Sequence, residues 1–295
     1  MGIILAVLSG VFLLITGIAC SVGSDDRKQI YAFNFLLPLS TVILASIFYT
    51  DWRMLFQSGH IYTAQVVILL LLSGFCGLGY VLFLMFAMNT GPHSLSLCLG
   101  ESCLVIPYLF SVIVWKDPTD LLGITGMALI SVSIITIGIT KEKGPDKQSI
   151  TNKWFLFMII AFVLGGAELT LYTLPNRIEG FEDIANLRPS IIQLGRLIMV
   201  LPFVVKNLKP KDLDKKIVVV SLTASVFHLL VSVVQFKAMD YLAQDQLMGI
   251  LYPVSLGTYI LLFTAYSHIF RKEKLRPVAW FSMSAIFAGI LFLCF

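Results

Sequence analysis

The chain is written in apolar blocks, each about 20 residues long, the length of helix that crosses the hydrocarbon core of a bilayer. Short polar turns close each block. Inside lipid no water is present to satisfy a backbone N–H or C=O, so only helices and closed barrels span it. A barrel strand needs only about 9–11 residues. Blocks of this length therefore predict an all-α membrane protein. Composition agrees: of 295 residues 58% are apolar and 13% are charged, where an average globular chain carries about 25% charge.

Ten spans can be marked, at 3–22, 31–49, 61–88, 92–115, 121–139, 154–173, 189–205, 217–238, 247–270 and 277–294. Trp52, between Asp51 and Arg53, marks a headgroup-level interface. Gly74, Gly77 and Gly79 permit close helix packing in the third span. The first block lacks a basic leading segment, so it reads as a span and not as a cleaved signal peptide. The hydrophilic run 141–153, with Gly144-Pro145, is the natural linker. It separates five spans in 1–140 from five in 154–295.

The two halves carry traces of one unit. Ala87-Met88-Asn89 ends the third span, and Ala238-Met239-Asp240 ends the eighth, 151 residues later. The stretch 126–134 resembles 282–290, and at that spacing Asp117 falls on Glu273. Because five is odd, two copies in one chain must lie in opposite orientation, the inverted-repeat plan with a solute site between the halves. The run Gly79 to Gly91, Asp117 and Gly126-Met127-Ala128-Leu129-Ile130 resembles an EamA-type repeat of the drug/metabolite transporter (DMT) superfamily. So do Gln235-Phe236-Lys237-Ala238-Met239, 245–253, Glu273 and 282–290. The sequence departs from that pattern at Gly10-Val11-Phe12, where a Trp-Gly pair is common, at Asp117 in place of a glutamate, and at Ser133 in place of a glycine. The resemblance implies ten helices in two inverted five-helix repeats and transport of a small metabolite. It does not choose the cargo.

Charged and polar residues inside the spans point to a site. Glu168 lies deep in the sixth span, on one helical face with Ala161, Gly165 and Tyr172. An intramembrane acid is a functional-site hypothesis by default; the alternative is a protonated carboxyl bonded between helices. Glu101 is the second such acid, on a face with Ser94, Cys98, Val105 and Tyr108. Its alternatives are a ligand site or a bridge to Arg196 or His228. In the eighth span Ser221, Ser225, His228, Ser232 and Gln235 recur at spacings of four and three, a single polar stripe that avoids lipid. The stripe lines either a watery path or a helix contact. Arg196 reads as a side chain that snorkels to the interface, with Asn34 as its counterpart in the first half. Tyr80, Tyr172 and Tyr252 are candidate walls for a cation.

Several chemistries lack their sequence marks. Cys20, Cys76, Cys98, Cys103 and Cys294 fall inside apolar blocks without metal spacing. No phosphate-binding loop, zinc-protease motif or nucleophile elbow is present. The chain is thus expected to be no enzyme, with no cofactor, no metal and no nucleic-acid partner. If the face holding the N-terminus is face A, the opposite face B collects fifteen lysines and arginines against four on A. The positive-inside rule then puts both termini outside; the resemblance puts them in the cytoplasm.

The expectation is a secondary transporter, an exporter or a proton-coupled carrier, in an inner or plasma membrane. It would move a small polar or cationic metabolite by alternating access. Glu168, Glu101, His228, Gln235, Tyr172, Ser225, Ser232, Tyr80 and Tyr252 are the residues expected to hold solute or proton. Membrane lipid is a partner, and a homodimer is open. A facilitative uniporter of the same fold is the alternative; a lipid-modifying enzyme and a non-transporting scaffold are alternatives of other classes.

Overall fold

A computed structural model describes residues 1–53, 55, 61–116, 120–139, 150–177, 186–209, 213–244 and 251–293. Among them are ten helices and no strand. In chain order they are α1 (Gly2–Gly23), α2 (Arg27–Phe48), α3 (Ile61–Thr90), α4 (His93–Trp115) and α5 (Leu121–Ile139). Then come α6 (Asn152–Thr173), α7 (Arg188–Asn207), α8 (Lys215–Gln244), α9 (Leu251–Phe270) and α10 (Pro277–Leu293). Seven are long and apolar enough to cross a bilayer; α5, α9 and α10 contribute shorter apolar stretches. That set is compatible with an integral, multi-pass membrane protein.

Local chemistry starts the helices where the polar turns end. Asp26 caps α2 by accepting from the Lys28 N–H, and Thr151 caps α6 by accepting from the Trp154 N–H at 3.1 Å. Prolines stand where a missing N–H costs nothing: Pro92 immediately before α4, Pro189 in the first turn of α7, Pro277 opening α10. Outward faces stay apolar, with Phe48, Leu121, Val205 and Phe281 exposed, as a lipid-facing surface requires.

The helices pack in an ordered pattern. α3 lies along α6 and α7, while α8 lies along α1 and α2. α6 meets α4, α1 meets α9, α2 meets α7 and α5 meets α10. One core gathers around Trp154 and Phe263; a second gathers around Ile30, Phe33 and Met85. Buried hydroxyls tie the helices across: Ser9 to Ser255 at 2.7 Å, Ser40 to Ser225 at 2.5 Å, Thr50 to Ser190 at 2.6 Å. Among the described residues, α4 alone changes its winding within the span. Its α-helical part His93–Glu101 passes through a tighter 3-10 turn, Ser102–Leu104, into Val105–Phe110, and ends in a wide π-turn, Ser111–Trp115.

α3 and α7 approach each other backbone to backbone at Gly74 and Gly195. A Cβ on Gly74 would collide with the Ile192 carbonyl and stand 3.0 Å from the Arg196 nitrogen; one on Gly195 would stand 3.0 Å from the Leu71 Cα. Both obstacles are backbone and cannot swing aside. Gly74→Ala is therefore expected to lower stability by about 1–3 kcal/mol, read as melting temperature in detergent. Gly79→Ala is the control, since its Cβ would meet only the Leu164 side chain, and it should cost much less.

Candidate functional site

A cavity of about 240 Å³ runs from the middle of the bundle to face A. Glu101, Arg196 and His228 stand well inside their helices, while Tyr172 and Pro189 stand at the A ends of α6 and α7. Its polar lining is Glu101, Glu168, Tyr172, Gln193, Arg196, His228, Ser232 and Gln235, set among Leu13, Leu104, Leu169, Ile192, Val231 and Leu256. Of the residues the sequence pointed to, Tyr80 and Ser225 lie off this lining, and the Tyr252 side chain lies outside the described residues.

The stripe on α8 divides along its length. Ser225 shares a hydrogen bond with Ser40 and donates to the Leu37 carbonyl at 3.1 Å, so its end of the stripe is a helix contact with α2. His228, Ser232 and Gln235, further toward face A, line the cavity. α2 covers one part of the stripe, and the other part lies on the cavity.

Arg196 does not snorkel. Its Nη2 meets Glu168 Oε1 at 2.5 Å, with side-chain exposures of only 10% and 15%. The reason is local. Gly77 of α3 leaves the space that the pair fills, since a Cβ there would stand 2.8 Å from Arg196 Nη2 and crowd the Glu168 carboxylate. Ser73, one turn earlier, donates to the Glu168 carbonyl at 3.0 Å and holds α6 against α3. A charge at the bilayer centre costs about 2.5–3.5 kcal/mol on insertion scales, and two opposite charges in contact avoid most of that.

Glu101 bonds to neither Arg196 nor His228. It accepts from the Tyr80 hydroxyl at 3.2 Å, so Tyr80 supports the acid from behind. His228 Nε2 instead meets Gln193 Nε2 at 2.9 Å, which requires the imidazole nitrogen to accept. Gln193 was not singled out in the sequence. Its signal was there, because Gln193 and Arg196 are three residues apart on one face of α7. Arg196 Nε and Gln193 Oε1 are buried without a partner among the described residues. At the mouth, the Arg188 guanidinium sits 4.4 Å over the Tyr172 ring. Among the described residues no group of three His, Cys, Asp or Glu side chains is placed to share a metal ion.

At face B a second polar cluster ties three turns together and lines a pocket of about 240 Å³. Arg271, after α9, pairs with Asp25 at 2.7 Å and donates to the Ser21 hydroxyl and carbonyl at 3.1 and 2.5 Å. Ser21 also bonds His93 Nδ1 at 3.0 Å. Asn89 donates to the carbonyls of Ser24 and Asp25. Glu273 accepts from the N–H and hydroxyl of Ser94 at 3.2 and 2.6 Å. Lys272 adopts φ 53 between Arg271 and Glu273, a left-handed residue that turns the chain sharply. Asp117, paired with Glu273 by sequence spacing, lies outside the described residues.

The chain matches no protein-family model and no curated protein.

Two outcomes are expected. Glu168→Gln or Arg196→Gln alone should cost about 3–5 kcal/mol by stranding a buried charge, and the double substitution much less; denaturation midpoints of the three variants decide it. Burial raises the Glu273 carboxyl above its ordinary value, against the lowering pull of the Ser94 and His93 bonds and of Arg271. A carboxyl raised by folding contributes stability that is full below its unfolded value and lost as pH climbs through the folded one. As pH climbs above the ordinary glutamate value of about 4.3, the melting temperature of the wild type should therefore fall relative to that of Glu273→Gln.

Proposed function

We propose that the chain is a secondary transporter of the EamA type, working by alternating access between two inverted five-helix halves, 1–140 and 154–295. The observation that carries this reading is the pairing of a charged mid-bundle cavity, lined toward face A, with a hydrogen-bonded cluster that ties three turns at face B and that we read as a seal. A lipid-embedded protein has little reason to keep ionised groups around a void unless a polar solute enters it.

The helix pairings support the inverted plan. Exchange each helix of the first half with its counterpart five places on. The contact α3–α6 becomes α8–α1, α3–α7 becomes α8–α2, and α4–α6 becomes α9–α1, all of them present. The contacts α2–α7 and α5–α10 map onto themselves. Counterpart helices run in opposite directions, because five is odd, so the same exchange turns face A into face B. This is the frame on which alternating access operates.

The solute is a small polar or cationic metabolite. The cavity volume of about 240 Å³ falls below the range of about 300–1,000 Å³ typical of drug-sized ligands. Glu168 is neutralised by Arg196, which leaves Glu101, bonded to an uncharged tyrosine, as the acid for a cationic group or a coupling proton. His228, Gln193, Ser232 and Gln235 supply hydrogen bonds. A facilitative uniporter has the same frame, and a pH gradient that leaves uptake unchanged would favour it.

The test is a thermal-shift screen of purified protein against amino acids, amines, sugars, nucleotides and lipophilic cations, beside Glu101→Gln. A ligand of the folded state raises the melting temperature, by about 2.7 kcal/mol of stabilisation at 100 times its Kd. The expected result is a hit that Glu101→Gln loses and that accumulates in vesicles containing the wild type. A hit that binds but never crosses the vesicle membrane would remove the transporter reading.

A further inference from the structure

The cavity and the face-B seal meet on one short piece of helix, the first part of α4. Ser94 stands at one end of His93–Glu101 and takes part in the seal through Glu273. Glu101 stands at the other and lines the cavity. They are seven residues apart, two helical turns on the same face, so a displacement of one carries the other. We propose that His93–Glu101 is a moving segment, hinged at Ser102–Leu104, which transmits opening of the face-B seal to the acid in the cavity. The transporter reading gives this motion its purpose, and the proposal rests on it to that extent.

Three observations meet here. The segment ends in a change of winding: the 3-10 turn Ser102–Leu104 follows Glu101 directly, and a 3-10 stretch within a helix often marks a hinge. Pro107 stands just beyond, without the N–H that would brace an α-helical turn across the same place. The segment is held by polar bonds and not only by apolar packing. Glu273 holds Ser94, Ser21 holds His93, and the Trp154 indole donates to the Ser96 hydroxyl at 2.8 Å. Such bonds break and re-form with water when face B opens, which a wedged apolar helix cannot do. The far end is lightly built: a Cβ on Gly100 would stand only 3.1 Å from the Tyr80 hydroxyl, so its absence leaves α4 clearance against α3 beside the Tyr80–Glu101 bond.

Most holds on the segment come from the second half of the chain. Glu273 lies in the α9–α10 turn and Trp154 in α6. Arg271, next to Glu273, ties the same turn to Asp25 and Ser21 of the first half. Separation of the halves at face B therefore pulls on His93–Glu101 before any other part of α4.

Cys98 reports on this motion. It lies inside the segment and is fully buried, its Sγ facing the Met283 carbonyl at 3.8 Å. Cys103 lies within the hinge turn and is nearly as buried. Two proteins are made, one retaining only Cys98 and one only Cys103. Labelling by a membrane-impermeant maleimide is timed with the protein in proteoliposomes. Glu273→Ala and Arg271→Gln are introduced separately into each, so the loss of one variant leaves the other. Cys98 labelling should rise about tenfold, the shift expected when a hydrogen bond to a charged group is lost, while Cys103 labelling holds steady. Unchanged Cys98 labelling, or an equal rise at both cysteines, would overturn the hinge. Solute uptake is measured in the same vesicles. A selective rise at Cys98 without uptake of any solute would retire the transporter reading and keep the hinge. Uptake with Cys98 unchanged would do the reverse.

Discussion

The contact between Arg196 and Glu168 is the interaction on which the interior depends. Neither charge is tolerable alone at that depth, so α6 and α7 must present them to each other. They can meet only because α3 gives way between them. Gly77 leaves room for the two side chains, and Gly74 lets the α7 backbone come close enough for the arginine to reach. One electrostatic requirement thereby sets the spacing of three helices. The void on the cavity side of the pair follows from it, because side chains held to each other cannot also fill the space beside them.

Around that pair the bundle separates two tasks. Apolar faces and buried serine pairs hold helices together, as at Ser9–Ser255 and Ser40–Ser225. Bulky polar groups with capacity to spare gather at the void. His228 and Ser225 show the division within one stripe: three residues apart on α8, one lines the cavity and the other is spent on α2. The proposed halves share a frame and differ in chemistry. At the 151-residue spacing Gly77 corresponds to His228, and Gly17 to Glu168, so a notch in the first half stands where the second half has a functional group. Asn34, the expected counterpart of Arg196, is buried and spent locally on the Ile30 carbonyl and on Met85.

What the sequence determined by itself was the all-helical class, the approximate placing of the apolar helices, and the polar faces of the fourth, sixth and eighth spans. A block of twenty apolar residues has one stable form in a bilayer, and the 3.6-residue period then reveals its polar face. Glu101, Glu168, His228, Ser232 and Gln235 were legible on that basis, and the structure brings them to one cavity. Tertiary structure alone decided which neighbour each face meets. Arg196 read as a snorkelling residue because nothing in α7 reveals that a glycine of α3 opens a path to Glu168. Ser225 read as lining because its own helix cannot tell that α2 lies over it. The face-B cluster joins Asp25, Ser94 and Arg271 from three distant turns, and no periodicity links them. Helical period is a property of one segment; a partner is a property of how segments are placed.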